Sequence, residues 1–130
     1  MDKLIQKITA LVFSVLSFLW GRVDGLLCAL IAFMALDYIT GLAAAWLQKK
    51  LSSEVGFKGI AKKCLILVLV AVGHILDTHV LKGGTLCRSA VIGFYLANEG
   101  LSILENAGNI GLPFPKKLRD VLEQIKSDEK

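Results

Sequence analysis

Apolar residues gather in long blocks along this chain, separated by short polar stretches, and their spacing is helical. Between residues 3 and 21, Leu4, Ile8, Leu11, Val15 and Phe18 fall on one side of a helix. Lys3, Lys7, Ala10, Ser14, Ser17 and Gly21 form a polar or small stripe on another. The apolar stretch, Ile8 to Trp20, is about 13 residues, short of the roughly 20 that span hydrocarbon. Two placements stay open for this first helix: flat in the interface with its lysines toward headgroups, or across the membrane with the small stripe packed on a neighbour. A secretory signal peptide would share the charged start and apolar middle, but "SFLWGRVDG" offers no small-x-small cleavage site.

The next block predicts a helix over residues 25–48, the clearest span, interrupted only by Asp37 and the hydroxyls of Tyr38 and Thr40. "QKKLSSEVGFKGIAKK", with five lysines against one glutamate, reads as a connector. A second span over 60–81 follows, carrying His74 and Asp77, and "KGGT" turns the chain. A third over 86–108 is less apolar, because it holds Arg88, Asn98, Glu99 and Glu105. Pro113 and Pro115 stop it. The expected organisation is a membrane domain over 1–112 and a basic, mixed-charge tail over 113–130. That tail is a helix with Leu118, Leu122 and Ile125 on one side, solvated or surface-bound. The fold class is an all-α integral membrane protein with three or four transmembrane helices, the first short and amphipathic, plus a cytoplasmic amphipathic C-terminal helix.

Composition agrees. Of 130 residues, 55% are hydrophobic, and a mean hydropathy of +0.63 is more than one soluble core needs. A net charge of +4 raises nucleic acid as a partner, but the basic residues fall in short clusters between apolar runs, without interleaved aromatics on which bases could stack. The charge reads as topology instead. Lys49, Lys50, Lys58, Lys62 and Lys63 share a cytoplasmic side with Lys116, Lys117 and Arg119, leaving Lys82 and Arg88 opposite. Four spans with both termini inside satisfy this bias; three spans with the first helix in the outer interface compete with it. Cys28, Cys64 and Cys87 are odd in number, lack CxxC spacing and read as buried thiols.

An ionised side chain at the bilayer centre costs about 2.5 to 3.5 kcal/mol on insertion scales, so such groups face protein or water. Asp37, His74 and Glu99 are expected at similar depth. Asp37, Thr40, Gly41, Ala44 and Gln48 share one helix face, with Gly41 and Ala45 spaced for close helix approach. Arg88, Ile92, Tyr95, Glu99, Ser102 and Asn106 line another, with Asn98 beside them. The candidate pore-lining or helix-packing residues are therefore Asp37, Thr40, Gly41, His74, Asp77, Tyr95, Asn98, Glu99 and Ser102. The alternative is purely architectural: Asp37 closing a hydrogen-bond network with Thr40 and His74. His74 and Asp77 at i, i+3 could relay protons, but two ligands do not make a metal site. No nucleophile with its base, phosphate loop or metal-ligand spacing is present, so neither an enzyme nor a cofactor is expected.

"LDYITGLAAAW", "SSEVGFKGIAKK" and "ENAGNIGLPFPKKLRDVLEQIK" together resemble the small phage-lysis and toxin-secretion holins of bacteriophages and clostridia-like bacteria. The resemblance runs from about residue 30 to 126. Asp37, Thr40 and Gly41 match the first block, Gly56, Lys58, Gly59 and Lys63 the second, and Glu105, Asn106, Gly111, Pro113 and Pro115 the third. It implies a multi-pass protein of the bacterial cytoplasmic membrane that forms homo-oligomeric lesions, letting an endolysin reach the wall or a large toxin leave. Partnership with that cargo needs no direct contact. The rivals are a small proton-coupled transporter or ion channel, and a membrane scaffold. Few aromatics near Asp37, and a basic tail without a transport task, count against the transporter.

Overall fold

The computed structural model describes residues 1–129 and is all-helical among them: α1 (Asp2–Trp20), α2 (Gly25–Leu47), α3 (Ser53–Ile75), α4 (Leu86–Ile110) and α5 (Lys116–Glu129). α3 runs on through a wider π-helical turn, Leu76–Val80, closed by the Leu81 amide on the Leu76 carbonyl at 2.8 Å. Among the described residues three helical segments are long and apolar enough to cross a membrane: α1, α2 and Ser53–Val80. α4 is not among them, since its polar residues lower its hydropathy; it is the helix the others bury.

Local chemistry sets the boundaries. Asp24 caps α2 by accepting the Leu27 amide at 2.9 Å, and Ser52 caps α3 by accepting the Val55 amide at 3.2 Å. α3 thus starts seven residues before the 60–81 expected from sequence, and the connector shrinks. Its glycines, which resemble loop residues, are helical because they seat an aromatic ring. A Cβ on Gly59 would stand 3.1 Å from the Tyr38 ring, and the Tyr38 hydroxyl donates to the Gly56 carbonyl at 3.3 Å. α4 ends at Gly111, whose φ of 97° is the left-handed conformation glycine tolerates best.

The core lies between α2, α3 and α4, where Leu27, Leu30, Met34, Ile66, Val70 and Ile92 interlock. Gly73 lets the α3 and α4 backbones meet: a Cβ there would lie 3.1 Å from backbone atoms of Cys87 and Arg88. α1 leans on α3 and buries none of its residues. Its Thr9 and Ser14 hydroxyls donate to carbonyls one turn back, each at 2.8 Å, so neither is left unpaired on the exposed face of the helix. α2 and α3 likewise turn Ile31, Leu36, Ile39, Trp46, Leu65 and Val68 outward. Cys28 and Cys64 also face outward, against the expectation of buried thiols, and all three cysteines are free.

The tail, expected as a solvated or surface-bound helix, keeps an exposed polar face and packs its other side on the bundle. α5 folds back along α4, and Leu122 is buried in a notch at Gly100, where a Cβ would lie 2.8 Å from a Leu122 methyl. Lys126 Nζ reaches Asn98 Oδ1 at 3.1 Å and lies 5.8 Å from the centre of the Phe94 ring. The apolar stripe of an otherwise charged helix finds its seat on α4.

Candidate functional site

Asp37 from α2, Lys63 from α3 and Glu99 from α4 meet inside the bundle. Lys63 Nζ lies 2.9 Å from Asp37 Oδ2, and 3.1 and 3.3 Å from the two Glu99 oxygens. The three side chains are almost enclosed, Glu99 most deeply. Asn106 completes the cluster from the next turn but one of α4: its amide nitrogen donates to Asp37 Oδ1 at 3.0 Å, to the Asp37 carbonyl at 3.2 Å and to Thr40 Oγ1 at 2.9 Å. Thr40 passes its own proton back to the Leu36 carbonyl at 2.8 Å. One cation serves two carboxylates, so each pairing replaces hydration the bundle has removed. Among the described residues no buried side-chain nitrogen or oxygen is left without a partner.

A crevice of about 310 Å³ opens beside the cluster, between α2, α3 and α4, lined by Tyr38, Gly41, Lys62, Asn98 and Ser102 as well as the ionic residues. At roughly 30 Å³ per molecule it has room for on the order of ten waters. Lys63 therefore joins two carboxylates next to a crevice with polar walls.

A second polar group sits at the opposite end, where α1 turns into α2 and α3 into α4. Arg88 donates to the Trp20 carbonyl at 3.0 Å and the Arg22 carbonyl at 2.9 Å, and forks onto Asp24 at 2.9 and 3.2 Å. That fork, and then the Leu27 amide, hold the Asp24 carboxyl below the usual carboxylate range. Asp77 caps α4 from outside it, accepting the Cys87 and Arg88 amides at 2.9 and 2.8 Å. The Trp20 indole donates to the Leu67 carbonyl at 2.8 Å, tying α1 to α3.

The residues singled out from sequence thus divide. Asp37, Thr40, Gly41, Glu99 and Ser102 come together around the cluster or its crevice. Asn98 lines the same crevice while holding Lys126. Tyr95 packs against the apolar core, edge-on to Phe94. His74 does not join Asp37 and Thr40: it lies against Gly21 at the other end, beside the turn that Asp77 organises. The physical reason is the earlier start of α3, which moves His74 away from mid-helix. Lys63, read as part of the basic connector with Lys49, Lys50, Lys58 and Lys62, is the counter-ion of the cluster. Its signal was helical phase, because Lys63, Ile66 and Val70 share one inward face.

A bacteriophage holin family model matches residues 14–127. The chain is 40% identical over 133 residues to an uncharacterized protein of Halalkalibacterium halodurans, covering 99% of this chain and 98% of the relative. It is 46% identical over 121 residues to an uncharacterized protein of Listeria innocua, covering 92% and 86%. A probable holin of Bacillus phage phi105 is 38% identical over 112 residues, covering 86% and 82%. No solved structure matches the chain.

Proposed function

This chain belongs to the bacteriophage holin family, and from that premise we propose that it assembles in the bacterial cytoplasmic membrane into homo-oligomeric lesions that release an endolysin or a large toxin. The observation that carries the reading is the buried Lys63 cluster inside a bundle whose α1, α2 and α3 outer faces are apolar. In the compact protomer every member of that cluster is paired, so the protein can accumulate without letting water through. When copies crowd, the inner faces of α2, α3 and α4 exchange these internal pairings for water, and the apolar outer faces stay in lipid. Asp37, Lys63, Glu99, Asn106 and Ser102 then line the opening. At the opposite end Asp77 keeps the α3–α4 turn joined, while His74 lies against Gly21 in the α1–α2 turn. The basic α2–α3 connector and α5 lie on the cytoplasmic side, as charge bias favours. No catalytic step is involved, and the cargo passes without a dedicated binding surface.

The polar crevice, with two carboxylates on it, also suits a proton-coupled transporter or ion channel. Inducible expression in a bacterium, with and without a cytoplasmic endolysin, separates the two. A holin gives abrupt depolarisation, with lysis only when endolysin is present. A flux that saturates with substrate while the membrane potential persists would replace this reading by the transporter.

A further inference from the structure

α5 is a charged helix docked high on a helix of the membrane bundle, and its depth has a physical consequence. Lys126 reaches Asn98, whose neighbour Glu99 shares Lys63 with Asp37. α5 therefore climbs α4 to the level of the ionic cluster. Its outer face over that climb carries Lys117, Asp120, Glu123, Gln124 and Asp128, all exposed, with Val121 and Leu118 the apolar side chains exposed beside them. At that level on the other flank, α2 presents Leu36 and Ile39, 49% and 60% exposed, and apolar exposure continues to Trp46.

At 1.5 Å per residue, Gly25 to Trp46 is about 32 Å, a full hydrocarbon thickness of about 30 Å, whereas Arg88 to Asn98 is only about 15 Å. A charged helix face cannot stand in hydrocarbon over the difference. We propose that α5 is a polar wedge: water and lipid headgroups reach down the α4–α5 flank to the level of Asp37, Lys63 and Glu99, while hydrocarbon covers the α2–α3 flank at that same level. The surface it offers is the polar face of α5, and the partner that surface fits is the aqueous headgroup layer. The Leu122 seat on Gly100 holds the wedge in place. The bilayer beside α4 is thinned to about half, an asymmetry the apolar exterior of α1, α2 and α3 does not share.

The inference needs only the membrane-embedded protein and survives failure of the lesion reading. It is tested with the full chain in vesicles at low copy number, before any depolarisation, with Cys28, Cys64 and Cys87 replaced by serine. Glu123→Cys on α5 and Leu36→Cys on α2 are outward-facing substitutions, and circular dichroism checks that both proteins stay helical. A charged thiosulfonate, loaded on both sides of the vesicles, is timed against the same cysteines in detergent-unfolded protein. The wedge predicts Glu123→Cys reacting within about tenfold of the unfolded rate, and Leu36→Cys at least about a hundredfold slower than it. Two results overturn it: protection of both positions, which puts α5 in hydrocarbon, or rapid labelling of both, which puts the whole ionic level in water.

Discussion

The two polar groups of this bundle are built from different materials. At the turn end, Arg88 and Asp77 bond mainly to backbone: two carbonyls for the guanidinium, two α4 amides for the carboxylate. At the other, Lys63, Asp37 and Glu99 bond to one another, side chain to side chain, beside a polar crevice. Backbone partners are fixed by the helices and loops that carry them, so the turn end works as a rivet. Side-chain partners come from three separate helices and can be exchanged for water when those helices part. On the proposed function, the backbone-bonded end holds while the side-chain-bonded end opens.

The sharpest way to break this contrast is Lys63→Met, which strands two buried carboxylates. Removing one partner of a buried ion pair costs about 3 to 5 kcal/mol. Thermal unfolding in detergent should show that loss, and depolarisation in cells should come earlier. Replacing all three ions together, as Asp37→Asn, Lys63→Met and Glu99→Gln, leaves no stranded charge and should recover most of the stability. Failure to recover would mean that the ions do more than neutralise one another.

Arg88→Met attacks the rivet and should cost about 2 to 3 kcal/mol, since it removes charged hydrogen bonds but leaves Asp24 partly hydrated. Its signature is loosening of the α1–α2 turn, read as faster hydrogen exchange at Leu27, without a change at the Lys63 cluster. Gly73→Ala should follow at about 1 to 3 kcal/mol, because the added methyl meets α4 backbone, which cannot swing aside. A lower melting temperature than the parent measures it.

The smallest effect is acid sensitivity of the rivet. The pKa of Asp24 is depressed in the folded state, so its contribution is complete above the ordinary carboxylate pKa and is lost as pH falls through the depressed value. With Trp46→Phe leaving Trp20 as the sole indole, its emission should hold steady from neutral into mildly acidic buffer and shift only below the usual carboxylate range. Asp24→Asn should remove that step.

Much of this architecture is legible in sequence because helical periodicity and the need to cover apolar faces act locally. Residues 25–47, and the stop at Pro113 and Pro115, follow from that alone. The start of α3 does not, because serines, glycines and lysines look like loop until the Tyr38 ring needing Gly59 is known. Spacing assigns a polar residue to a helix face but not to a partner on another helix. Asp37 and Glu99 were recognisable as inward-facing, while Lys63 between them was hidden by its neighbours' role in topology. His74 erred with the helix start. The stripe of Leu118, Leu122 and Ile125 was visible, but its receptor at Gly100 is a product of three-dimensional packing.

The central claim is that the faces packed together in the compact protein become wetted in the lesion. Val70 has no exposed surface and lies on the same inner face of α3 as Lys63. Placed there as Val70→Cys, in a chain otherwise free of cysteine, a thiol reports directly on that face when a membrane-impermeant reagent is added before and after depolarisation. The account predicts no labelling before and rapid labelling after. A thiol that stays protected while the cell depolarises would mean that the bundle crosses the transition closed, and that the opening forms elsewhere.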